Sequence, residues 1–100
     1  MNQQLIEKAI RSKSVVSFTY SGHPRIAEPH VLGIKDGAVQ LLGYQIGGSS
    51  SSGGSLPEWR RFDLAKISGL SIEGQNFPGR RSFPSGKRHA WDSEIAVVDA

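Results

Sequence analysis

Along residues 14–20 apolar and polar side chains alternate, with Val16, Phe18 and Tyr20 on one side and Val15, Ser17 and Thr19 on the other. A period of two predicts a half-buried β-strand. Ser21-Gly22-His23-Pro24 then supplies turn chemistry, because Gly tolerates positive φ and Pro fixes its own φ while removing a donor. A second extended run from Arg25 to Ile34 makes this a hairpin. Pro29 within it marks an edge, a bulge or a bend, since it lacks a ladder donor. Lys35-Asp36-Gly37 predicts a second tight turn into a third strand, Ala38 to Ile46, which is apolar on both faces. Glu58 to Phe62 reads as a fourth strand, Asp63 to Ile67 as one helical turn, and Ser68 to Glu73 as a fifth strand. Ahead of the strands, Leu5, Ile6, Ala9 and Ile10 recur at helical spacing behind Asn2, a good N-cap. So short a helix must dock on the sheet to persist.

Two stretches break this pattern. Gly47 to Ser55 is Gly-Gly-Ser-Ser-Ser-Ser-Gly-Gly-Ser, expected as a long flexible loop inside the domain. After Gly74, Pro and Gly dominate until Trp91, so residues 1–74 are expected to form the domain and 75–100 an irregular, partly ordered tail. Glu94 to Val98 is a candidate for a short added edge strand. The fold class is mainly β: a helix and five short strands forming a small twisted or barrel-like sheet. Full closure would remove the edges and partial closure would leave one open for oligomerisation; the strand count fits both.

Composition narrows the setting. One hundred residues make one domain near the lower end of self-sufficient sizes. With no cysteine, disulfides and thiolate metal ligation are excluded, and no apolar run approaches membrane-spanning length. A cytoplasmic protein without membrane contact is therefore expected. Net charge is +3, weak evidence for polyanion binding by itself. Residues 75–91 hold Arg80, Arg81, Lys87 and Arg88 with no acid, which reads as a solvated basic tail.

The chemistry-bearing residues cluster near the first hairpin and in the fourth strand. Arg25, Arg60 and Arg61 offer planar donor forks suited to phosphate or carboxylate. Arg60 and Arg61 are adjacent and must face opposite ways on a regular strand, so one of them is expected to join Arg25. Arg25 suits equally an internal pair with Glu28 or Asp63. Tyr20, Tyr44 and Trp59 could stack bases or simply pack, Gln45 could read a base edge, and Glu28 and His30 complete the polar set. His23, His30 and His89 fit no compact zinc spacing, so no metal or cofactor is expected. Neither a nucleophile elbow nor a phosphate-binding loop is present, so no enzyme is expected.

Taken in order, Ala9-Ile10-Arg11, Phe18-Thr19-Tyr20 with Gly22, Arg25 through Glu28-Pro29, and Trp59-Arg60-Arg61-Phe62-Asp63-Leu64 with Ile67 and Leu70 resemble the WYL domain family. The tripeptide that names the family reads Gly43-Tyr44-Gln45 here, keeping only its Tyr. The resemblance implies a five-stranded antiparallel Sm-like, SH3-type barrel with an N-terminal helix. It also implies a non-catalytic regulatory module that senses a nucleotide or a short single-stranded nucleic acid, here without a helix-turn-helix partner domain. The expected site is a basic, aromatic-lined cleft built from Tyr20, Arg25, Glu28, His30, Tyr44, Gln45, Arg60 and Arg61. The alternative is an Sm-like scaffold that binds RNA, a second copy or a protein partner along an open strand edge.

Overall fold

The computed structural model describes residues 2–49, 56–83 and 91–99. Helix α1 (Asn2–Ser12) is followed by strands β1 (Ser14–Tyr20), β2 (His23–Lys35), β3 (Ala38–Gly48) and β4 (Glu58–Asp63). A 3-10 turn at Leu64–Lys66, β5 (Ser68–Asn76) and β6 (Ser93–Val97) complete the chain. The protein is mainly β, with an antiparallel sheet in the order β4-β3-β2-β1-β5 and β6 added to β2.

Both hairpin turns are two residues long. Ser21 and Gly22 adopt φ of 53° and 76°, and Asp36 and Gly37 adopt 53° and 80°. Two consecutive positive φ values give the turn whose twist matches that of the flanking strands. The first turn is tighter than its sequence implies: His23 and Pro24 already belong to β2, opposite Tyr20 and Thr19. β3 likewise runs further than expected, with Gly47 and Gly48 paired to Ile26 and Arg25. Of the Gly/Ser stretch expected as a flexible loop, residues 50–55 lie outside the described residues.

β2 is the hub. Its first half pairs with β1 and its second half with β6, while β3 pairs with it from Arg25 to Lys35. Two register shifts bend this ladder, one between Ile26 and Ala27 and one between Pro29 and Val31. In the second, His30 is the extra residue, which Pro29 helps to impose because it donates nothing to the ladder. The bend separates β1 from the end of β2 and frees residues 31–34 for β6.

The expected five-stranded barrel is corrected in two respects. Among the described residues six strands form, because Ser93–Val97, which covers most of the 94–98 candidate, finds the free edge of β2, and the sheet does not close. β4 pairs with β3 and β5 with β1, but β4 and β5 do not pair with each other. The curl nevertheless brings the sheet ends close, since the Tyr20 hydroxyl at the end of β1 accepts from the Asp63 backbone N–H at 3.0 Å.

α1 lies against β1, β2, β5 and β6, burying Ile6, Ala9 and Ile10 among Val16, Phe18, Leu32, Leu41 and Phe62. Asn2 opens the helix, but its side-chain amide reaches the Ile67 carbonyl (3.1 Å) on the neighbouring turn. The residue 74 boundary falls inside β5, and Phe77 and Val98 beyond it are both in the core. No helix among the described residues is long and apolar enough to cross a membrane.

Candidate anion-binding site

The eight sequence-predicted residues divide into three groups. Tyr20, Arg25, Gln45 and Arg60 form the first: Tyr20, Arg25 and Arg60 line a cavity of about 400 Å³ bordered also by Ser21, Glu58, Trp59, Arg61 and Phe62, and Gln45 stands behind Arg25. Arg25 leaves the first hairpin opposite Phe18 and is only 4% exposed. Its guanidinium lies 5.5 Å from the Tyr20 ring centre and 5.6 Å from that of Phe62. Nη1 donates to Gln45 Oε1 (3.2 Å) and Nη2 to the Tyr20 carbonyl (3.1 Å). Both acceptors are neutral, and among the described residues the buried Nε–H has no partner.

The internal ion pairs open to Arg25 in the sequence do not form. Glu28 is taken by Arg81, and the Asp63 carboxylate caps the 3-10 turn through Ala65 N–H. Burial, with the nearby Arg60 cation adding to it, lowers the Arg25 pKa from its ordinary value, and Tyr20 acts in the other direction. Gln45 is fully buried and acts as the brace behind Arg25. Its amide nitrogen donates to the Gly47 and Ser49 carbonyls, which turns its oxygen towards the guanidinium.

On β4 the alternation sends Arg60 and Arg61 opposite ways, as their spacing requires. Arg60 is on the Arg25 side and pairs with Glu58 two residues earlier, at 2.7 Å. Arg61 forms the second group: its guanidinium stacks 4.3 Å over Trp91 and donates to Gln40 Oε1 (3.2 Å).

Glu28, His30 and Tyr44 make the third group, on the other face. The bulge aims the His30 ring at Trp59 (4.7 Å between centroids) and Phe77 (5.4 Å), with Tyr44 against Trp59 at 5.0 Å. Residues 77–83 cross this cluster as a strap. His30 Nδ1–H donates to the Glu28 carbonyl (2.9 Å), and its Nε2 accepts from Arg81 N–H (3.2 Å). Burial pushes the His30 pKa below its ordinary value, so the neutral ring that this pattern requires is the favoured form. The Glu28 carboxylate takes both arms of the Arg81 fork, and Trp59 Nε1 donates to the Ser82 carbonyl. Hydrogen bonding to Glu28 raises the Arg81 pKa. The Arg81 guanidinium also lies over the Tyr44 ring at 5.3 Å.

Tyr44 therefore does not stack into the Arg25 cavity. Arg80 and Arg81, which read as solvated tail, instead fix the strap, Arg80 through the Val98 carbonyl. Two participants were missed. Glu58 shares the face of Arg60 by its i, i+2 spacing, which the sequence shows. Arg81 gives only an indirect signal, a base in an acid-free stretch while Glu28 sits in a buried strand.

Comparison of the chain with known protein families, curated proteins and solved structures finds no match. The family resemblance thus rests on the residues quoted for it.

Proposed function

We propose that the protein is a non-catalytic, ligand-sensing module of WYL type that binds an anionic group of a nucleotide or short single strand between Arg25 and Arg60. One observation carries the reading. Arg25 is 4% exposed, lines a cavity, and among the described residues has only neutral acceptors, with its Nε–H unpartnered. A buried cation without a carboxylate is costly, and a fold that needed only packing would place an apolar residue there. An oxyanion would accept from Nε–H and relieve the repulsion from Arg60. The helix-first meander and the turn between β4 and β5 support the Sm-like part of the reading, in an open form. Tyr20 and Phe62 serve as the wall behind Arg25.

The test is titration of wild type, Arg25→Ala and Arg60→Ala with nucleotides and with short oligonucleotides at several salt concentrations. Each arginine variant is expected to weaken binding and to lower the salt slope by about 1 for a phosphate contact. Unchanged affinity in both variants would overturn the site. Affinity growing steadily with oligonucleotide length and insensitive to Arg25 would favour the scaffold reading, in which the outer edge of β5 or β4 binds.

A further inference from the structure

Resting on the anion-site reading above, we propose that Glu58 sets the charge of the ligand: the cavity takes singly charged oxyanions, such as an internal phosphodiester, and disfavours phosphomonoester dianions. Among the described residues, Arg25, Glu58, Arg60 and Arg61 are the charged residues that border it. Arg61 borders the same cavity but its guanidinium is committed to Trp91 and Gln40 on the other face. Glu58 holds Arg60 at 2.7 Å, whereas Arg25 has no carboxylate partner among the described residues. With the Arg61 guanidinium turned to Trp91 and Gln40, the described side chains leave one positive charge in the cavity, that of Arg25, without a carboxylate. A monoanion neutralises it.

A phosphomonoester carries roughly −1.5 to −2 at neutral pH, so it brings excess negative charge beside Glu58. That repulsion is strengthened where Arg25 is buried and water is scarce. Rotation of the Glu58 side chain, which is 42% exposed, does not escape it. Strand β4 fixes Glu58 two residues from Arg60 on the same face, within side-chain reach of the ligand.

The experiment compares thymidylyl-(3′→5′)-thymidine, which has one internal diester, with thymidine 5′-monophosphate at pH 8, by calorimetric titration. Wild type, Glu58→Gln, Glu58→Ala and Glu73→Gln are each titrated, the last removing an exposed acid of β5 outside the cavity. Wild type is expected to prefer the diester. Both Glu58 variants are expected to shift the ratio towards the monoester by about tenfold, mainly by tightening the monoester. Glu73→Gln is expected to leave the ratio unchanged. N-acetylglycine is the carboxylate arm: binding as little affected by the Glu58 substitutions as that of the diester would support charge selection and assign the ligand to carboxylates. Binding of both nucleotides with a ratio indifferent to Glu58 would overturn this inference alone. No anion binding to wild type or to the Glu58 variants would overturn the site and this inference together.

Discussion

At the scale of single residues, Arg25 and His30 are both buried and polar, yet they differ in what completes them. His30 has a partner at each ring nitrogen, while Arg25 Nε–H has none among the described residues. Replacing Arg25 by Met removes two hydrogen bonds to neutral groups but also an unpaired buried charge, and these effects oppose each other. Arg25→Met is expected to stay within about 1 kcal/mol of wild-type stability and to lose anion binding. Urea unfolding with and without added ligand measures both, and a loss above about 3 kcal/mol would make Arg25 a support of the fold. His30 answers to pH instead. Desolvation chiefly depresses its pKa in the folded protein, whereas the unfolded chain takes up this proton below about 6.5. In the interval beneath that value the unfolded state binds more protons, so stability is full above about pH 6.5 and falls as pH drops through it. The loss is bounded at about 1.4 kcal/mol per pH unit. His30→Gln, whose amide can both donate and accept, is expected to flatten the fall in urea midpoint between pH 7.5 and 5.5. An unaltered pH slope would count against the neutral ring. Of the chemistry, the opposed directions of Arg60 and Arg61 were legible because alternation is local. The partner of Glu28 was not, because Arg81 reaches it across 53 positions of sequence.

The same division between local and distant holds for whole elements. Both hairpins were readable from Ser-Gly and Asp-Gly, since turn chemistry spans adjacent residues. The strap and the docking of β6 were not, since each depends on an edge or surface that exists only after the sheet has bent. Gly33 shows how closely β6 is fitted. A Cβ there would lie 2.6 Å from the Trp91 ring and 2.8 Å from the Ser93 carbonyl. Gly33→Ala is expected to cost about 1–3 kcal/mol and to push Trp91 towards solvent, seen as a red-shifted emission in a Trp59→Phe background. Gly43→Ala is the control. Its Cβ would meet Ala27 at 3.5 Å and Phe62 at 3.6 Å, ordinary contacts, so a change below about 1 kcal/mol is expected. Equal effects of the two substitutions would mean that β6 is not tightly seated on β2.

For the molecule as a whole, the open sheet is held in its curl by parts far apart in sequence. Tyr20 links the ends of β1 and β4, α1 lies over the core, and residues beyond β5 fill what the strands leave uncovered. Composition alone hid that last contribution, because Pro and Gly in 75–91 signal irregular backbone and say nothing about packing. Phe77 is 6% exposed and Val98 is fully buried, and their N–H groups bond the carbonyls of Lys13 and His30. Arg81 covers Glu28, which without it would be a buried carboxylate lacking its counter-charge. Losing the Phe77 ring alone is worth about 3–5 kcal/mol, against about 5–15 kcal/mol for a domain of this size. A chain ending at Asn76 is therefore expected to lose its cooperative thermal transition and its near-ultraviolet circular dichroism. A chain ending at Phe83 keeps the strap but not β6 and Val98, and is expected to fall between the two in urea midpoint. Should the shorter chain unfold as sharply and as late as the full one, the strap and β6 would be accessories to a sheet that is already complete by residue 76.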